Sequence, residues 1–369
     1  MKRVAQLDGV RGLAILLVLV WHYVAFRLIT TDGSMSVYCL RPLLFTRSGV
    51  TLFFVLSGFL IGGILLDHRQ TANYFQVFYL RRICRILPLY FLTLALFMCF
   101  RATPLSAGPY FEWLSGCPFS MLSYATFTQN FLMGARGDFG PHWLGVTWAL
   151  AIEEQFYLFM PLLIYFLPRR ALLLVLPLGI LMAPILRHSF PGFQSYVYAP
   201  WRADALLLGA SLALLVRSRS FINGVQRHPR VLLALLIALL VGVLFVDAES
   251  WLVSLYVTFI LIAYADTQPW LGQFLRMPVL VWFGQLSYGI YMFHEAVSGL
   301  THGLLLHTAP QLRTPADVAV TLLALAITLL LAALSYHFFE GPILRFGHRF
   351  RYRPNSSSEP LPQPTTETI

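Results

Sequence analysis

Charge is what this chain has least of: of 369 residues only 11% are Asp, Glu, Lys or Arg. A water-soluble domain usually carries about 25%, so solvation mainly by water is excluded. Lysine is nearly absent, with Lys2 alone among 26 basic residues. Cysteine is scarce too, at four (Cys39, Cys84, Cys99 and Cys117), and none forms a CxxC or Cys/His pattern, so no structural zinc is expected. Cys39 and Cys117 could share one side of a membrane and pair. No segment repeats, which argues against an inverted-repeat transporter, and no stretch reads as an appended soluble domain.

What is abundant is apolar surface. Hydrophobic residues make up 58% of the chain and mean hydropathy is +0.70. The composition predicts an all-α polytopic bundle of about ten transmembrane helices, near 7–29, 46–66, 84–101, 143–167, 171–188, 201–216, 230–247, 251–266, 279–297 and 317–338. The net charge of +10 would suit nucleic acid in a polar chain. In one this apolar it is loop charge. Placing both termini in the cytoplasm puts most basic residues inside, among them Arg3, Arg69, Arg81, Arg85, Arg217 and Arg345. MKR before an apolar run resembles a signal peptide, but Arg11 interrupts it and no small-residue cleavage site follows; it reads as an uncleaved first span. The loop near 102–142 is rich in aromatics and should fold over the outer mouth. A 1–345 membrane domain is expected to precede a basic, then Pro/Ser/Thr-rich, disordered tail over 346–369.

Ionisable groups inside a membrane are costly, so each is a candidate functional residue. In LDGVRGLAILLVLVWH, residues 7–22, Arg11 and His22 are eleven residues apart. On a helix that is three turns plus about 20°, so they share a face about 16 Å long. In TWALAIEEQFYLFMPLL, Glu153 and Glu154 lie about 15–16 Å from the outer end, against about 10 Å for His22. One of them could fix the imidazole tautomer and stabilise its protonated form, while the other pairs with an arginine such as Arg202. Equally, the pair could be structural. In YLRRICRILPLYF, Arg82 and Arg85 project from one side of a helix and could clamp phosphate, or simply anchor the inner membrane face; Arg81 points elsewhere, toward head groups. Pro88 should bend that helix. Ser57, Gly58 and the Gly62–Gly63 pair suit close helix approach or a thin substrate arm. Ser287, Tyr288, Tyr291 and His294 of SYGIYMFHE line one face, and Asp204 should bond locally near Arg202.

Six segments in this order resemble the acyltransferase 3 family of membrane O-acyltransferases: LDGVRGLAILLVLVWH, FFVLSGFLI, RRICRILPLY, FTQNF with WALAIEEQFY, RADALLLG and SYGIYMFH. They run from Leu7 to about Glu340. The resemblance implies transfer of an acyl group, often acetyl, from cytoplasmic coenzyme A to a hydroxyl of a glycan, lipid-linked saccharide or hydroxylated small molecule. By position it makes His22 catalytic, as general base or acyl carrier, with Glu153 and Glu154 as the acidic motif. Arg11, Arg82 and Arg85 become acyl-CoA-binding, and Ser57, Gly58, Tyr288, Tyr291 and His294 become a candidate substrate path. No metal or tightly bound cofactor is implied. The expected location is the bacterial cytoplasmic membrane, with no C-terminal esterase-like domain. The main alternative is a proton-coupled transporter or flippase using His22 and the glutamates as its proton path. Acceptor, acyl length and oligomeric state stay open.

Overall fold

The computed structural model describes residues 5–31, 42–243, 245 and 249–354. The architecture is all-α. Ten helices of at least 15 residues are α1 (Ala5–Val20), α2 (Gly49–His68), α3 (Tyr74–Arg101), α4 (Thr147–Phe166), α5 (Arg169–Ser189), α6 (Ala199–Leu215), α7 (Pro229–Val243), α8 (Glu249–Ala265), α9 (Pro278–Leu305) and α10 (Pro315–Leu334).

Each expected span corresponds to one of these helices. Among the described residues six helices are by length and composition apolar enough to cross a membrane, or up to eight if two pairs bent by 98° and 95° each count as one span. Helix α7 has 15 residues, about 22 Å of rise against an apolar thickness of about 30 Å. Helix α9 is 28 residues long but carries His294, Glu295 and His302, all buried within the bundle. Large apolar side chains such as Leu158, Phe159, Phe166, Leu174 and Leu178 are exposed on the outer faces of α4 and α5. Such a surface suits lipid and not water, and the protein is an integral membrane protein.

Glycine decides which helices touch. A Cβ at Gly284 of α9 would overlap the carbonyl oxygen of Asp8, and one at Gly12 of α1 would overlap that of Leu280. Backbones can approach this closely only where side chains are missing. The two helices run parallel: Asp8 meets Gly284 at one end, and at the other the Tyr23 hydroxyl donates to the His294 carbonyl at 3.0 Å. In the same way Gly58 packs against Leu206 of α6, and Gly62 against Ala210. Gly284→Leu should therefore push α1 from α9 and destabilise the bundle by about 1–3 kcal/mol or more. Thermal unfolding in detergent measures this; an unchanged midpoint would contradict the contact.

Residues 102–142 fold into short helices over one end, with the Tyr90 hydroxyl donating to the Tyr124 carbonyl at 2.8 Å. Helix α3 continues through Pro88 without interruption. The expected division at 345/346 falls inside a helix. A π-helical turn, Ser335–Glu340, leads into the helix Gly341–His348, which runs across the expected boundary. Residues 349–354 then pack on the start of α3: Asn73 Nδ2 donates to the Arg351 carbonyl at 2.9 Å, and the Ala72 amide to that of Arg353 at 3.0 Å. Satisfied backbone groups hold this stretch in place. The rest of the tail, 355–369, and Cys39 with its expected pairing to Cys117 lie outside the described residues; Cys84, Cys99 and Cys117 are free thiols.

Candidate active site

Three cavities of about 470, 110 and 420 Å³ follow one another through the bundle. The first opens at the end where both described termini meet, between Asp8, Arg81, His348 and Tyr352. It shares Arg11, Ser57, Arg82, Arg85 and Tyr157 with the small central cavity. That cavity in turn shares Val50 and Tyr291 with the third, which lies under the folded 102–142 segment. The expected polar stripe on α1 is present: Arg11 lines the first two cavities and His22 the third.

The first two cavities are cationic. Arg82 and Arg85 both face them, as their three-residue spacing predicted, with their guanidiniums 5.8 Å from the rings of Tyr157 and Tyr288 respectively. Arg11 lies 3.7 Å from Asp8. Arg81 points elsewhere, but toward protein: its guanidinium donates to the Phe350 carbonyl at 2.6 and 3.1 Å. Glu153 belongs to this arginine-lined region, accepting from Ser57 Oγ at 2.7 Å and Tyr157 Oη at 3.2 Å.

The third cavity is lined by aromatic rings, including Trp21, Phe139, Trp148 and Tyr196, together with His22, His142 and Glu295. His22 lies in a π-helical stretch, Trp21–Ala25, a local widening often found at functional sites. Its Nδ1 lies 2.9 Å from the Val18 carbonyl. A carbonyl only accepts, so Nδ1 carries the hydrogen and Nε2 presents a lone pair. Nε2 is 3.8 Å from Glu295 Oε1, and Glu295 Oε2 is 3.3 Å from Arg27 Nη2. Behind them His294 is fully buried, its ring 4.8 Å from that of His22 and edge-on. His294 Nδ1 faces the Tyr291 carbonyl at 2.7 Å, while its Nε2 has no hydrogen-bond partner.

Several expected placements therefore change. The carboxylate against His22 is Glu295 of α9, not Glu153 or Glu154 of α4. The reason is the α1–α9 packing: glycines bring those two backbones together, whereas Ser57 and Tyr157 hold Glu153 beside the arginines. Glu154 lines none of these cavities, and its Oε1 is buried without a hydrogen-bond partner. Arg202 pairs instead with Glu249 at 2.8 Å, and Asp204 with Arg187 at 2.6 Å. Of the candidate path, Ser57, Tyr288 and Tyr291 line the central cavity; Gly58 is used up in the contact with α6, and His294 sits behind the third cavity. Glu295 and Arg27 were missed. Both are ionisable residues inside spans, and Glu295 stands beside His294 in SYGIYMFHE, so the rule that singled out His22 also applies to them.

His22, His294 and Glu295 each offer one donor atom within 4.8 Å of the others, a spacing that could hold a metal ion. The Arg27 guanidinium already on Glu295 works against a second cation there, since like charges at this range repel strongly away from water.

Residues 4–337 match the model of a family described as an acyltransferase domain. The chain is 28% identical over 377 residues to the peptidoglycan O-acetyltransferase OatA of Listeria monocytogenes, covering 94% of this chain and 56% of that protein. It is 29% identical over 378 residues to a Bacillus subtilis protein provisionally named as a peptidoglycan O-acetyltransferase, with the same coverage. A Staphylococcus aureus protein provisionally named an O-acetyltransferase is 26% identical over 396 residues, 96% of this chain and 60% of its own length. The chain thus spans about 60% of the length of these relatives. No solved structure matches.

Proposed function

The chain belongs to that acyltransferase family, and from this premise we propose that it is a membrane O-acyltransferase carrying an acyl group, acetyl in the first instance, from cytoplasmic acyl-CoA to a glycan or related hydroxyl on the other side. The observation that carries the reading is the succession of cavities. A cationic chamber, a narrow centre and an aromatic chamber with an unblocked histidine nitrogen meet end to end through Tyr291 and Val50. The chamber beside both described termini faces the cytoplasm, in keeping with the excess of arginine on that side, and a bacterial cytoplasmic membrane suits the bacterial relatives.

Coenzyme A matches this shape. It has phosphates at one end and a thin arm ending in the thioester at the other. Arg11, Arg82 and Arg85 hold phosphates, guanidiniums being suited to bidentate contact with such oxygens. The arm passes Ser57, Tyr288 and Tyr291 toward His22. In the third cavity the acceptor hydroxyl attacks the thioester carbonyl, and His22 Nε2 takes its proton. The new C–O bond forms as the C–S bond breaks, and the proton passes from His22 to the departing thiolate. Glu295, paired with Arg27, lies where it stabilises the imidazolium formed in between. The aromatic walls offer stacking faces for sugar rings, with few polar groups to fix orientation. The relatives' names supply peptidoglycan as one acceptor to try.

The test is release of free coenzyme A from acetyl-CoA by the purified chain supplied with glycan acceptors. Arg85→Ala should raise KM for acetyl-CoA about tenfold or more, the loss of one charge-assisted contact of about 1.5–3 kcal/mol, with a smaller change in kcat. If the variant's KM stays at the wild-type value, the arginines do not hold the donor.

A further inference from the structure

The acyltransferase family match ends at residue 337, yet the chain beyond it is folded onto the mouth of the cationic chamber. We infer that residues 341–354 form a strap that builds one wall of the site for the nucleotide end of the donor, holding its phosphates between His348 and the guanidiniums of Arg82 and Arg85. This rests on the acyl-CoA reading above and adds to it a binding element outside the family's matched region.

The strap is fixed at several points from Gly347 to its last described residue. Within its helix, Gly347 lies against Cys84, the neighbour of Arg85 on α3; a Cβ there would meet the Cys84 Cβ at 3.0 Å. In the middle, Arg81 donates twice to the Phe350 carbonyl. The Tyr352 ring stacks on His68, with centroids 3.7 Å apart and planes within 21°, and lies 5.2 Å from the Arg81 guanidinium carbon. At its end, the Arg353 amide donates to Asn73 Oδ1 at 2.9 Å, and Thr71 and Pro354 form an isolated bridge. A length of chain bound this often is part of the wall and not a loose cover.

What the wall encloses is unusual for an inner-face cavity. Leu344, Gly347, His348 and Tyr352 line the same chamber as Arg11, Arg81, Arg82 and Arg85, against Asp8 as its carboxylate. With Arg81 tied to the Phe350 carbonyl, the guanidiniums of Arg11, Arg82 and Arg85 against one carboxylate call for a polyanion. The chamber of about 470 Å³ is wide, while the central cavity that continues it holds about 110 Å³. A bulky, multiply phosphorylated head carrying a thin tail fits both; an inorganic phosphate fits only the first, and a lipid headgroup has its tails in the bilayer and not in the protein centre. The ligand class is therefore a nucleoside phosphate extended by a narrow arm.

The experiment compares two donors, acetyl-CoA and acetyl-pantetheine, which share the reacting end and differ only in the nucleotide. The full chain, His348→Ala and Tyr352→Ala are purified in detergent, and kcat/KM is measured for each donor. The ratio between donors does not depend on the fraction of folded protein. In each variant the preference for acetyl-CoA over acetyl-pantetheine should fall about tenfold, the scale of one lost contact to a charged group. A ratio equal to wild type in both variants, with acetyl-CoA still a donor, overturns the strap as a nucleotide wall and leaves the enzyme reading standing. If wild type uses acetyl-CoA no better than acetyl-pantetheine, the nucleotide is not recognised and the inference falls. If it uses neither, the donor reading falls as well.

Discussion

His22→Ala should abolish acyl transfer while the chain still folds and still binds acetyl-CoA. The expected loss in kcat is about 10²–10⁴-fold, the range over which a positioned base contributes. Two features of the geometry set this prediction. Nδ1 is tied to the Val18 carbonyl at 2.9 Å, so the ring is oriented with Nε2 free to accept a proton. His22 lines the third cavity, which adjoins the central one at Val50 and Tyr291. The measurement is single-turnover transfer of labelled acetyl from acetyl-CoA, alongside equilibrium binding of coenzyme A. Binding kept and transfer lost is the expected pattern. Transfer within a few-fold of wild type would remove His22 from the chemistry and return the aromatic chamber to a plain permeation role.

The second large effect separates two glutamates. Glu295→Gln keeps the shape of the side chain but removes the charge facing His22 Nε2 at 3.8 Å. The imidazolium formed during transfer then loses its counter-ion, and Arg27 is left with a neutral partner. A charge-assisted interaction of about 1.5–3 kcal/mol corresponds to roughly ten- to a hundredfold in kcat, with KM for acetyl-CoA little changed because the arginine chamber is untouched. Glu153→Gln should do the reverse. It weakens a carboxylate held by Ser57 and Tyr157 among the arginines, and its effect should appear mainly in KM for the donor. Steady-state kinetics on both variants decides the matter. Should Glu153→Gln collapse kcat while Glu295→Gln keeps it, the assignment of the base's partner to α9 is wrong.

The contrast between these carboxylates also shows where reading along the chain stops. Arg11 and His22 could be placed on one face because both sit on one helix, and helical periodicity is a local property. Arg82 and Arg85 could be paired for the same reason, and both do line the first two cavities. Placing Glu153 or Glu154 near His22 rested, among the residues themselves, on similar depth. Depth says nothing about which helices are neighbours. The α1–α9 contact was written in the sequence as Gly12 and Gly284, but small residues do not announce which partner they approach, and Gly58 and Gly62 turned out to serve α6. Likewise Arg202 and Asp204, two residues apart, found partners on different helices, Glu249 and Arg187.

The placement of residues 349–354 has a related origin. Residues 349–354 have no apolar periodicity, and what orders them is contact with Asn73, Arg81 and His68, residues almost 270 positions or more away. Such order comes from hydrogen bonds supplied by another part of the chain, and no local pattern encodes it.

By itself, then, the sequence determined an all-helical membrane protein with its ionisable residues concentrated at a functional interior, because lipid imposes apolar spans and makes every retained charge conspicuous. Tertiary structure alone decided that Glu295 and not Glu153 stands beside His22, that three chambers align into one path, and that the chain's last described residues wall its mouth. Each of these depends on contacts between helices far apart in sequence, which are chosen by close packing of whole surfaces and not by any residue's neighbours along the chain.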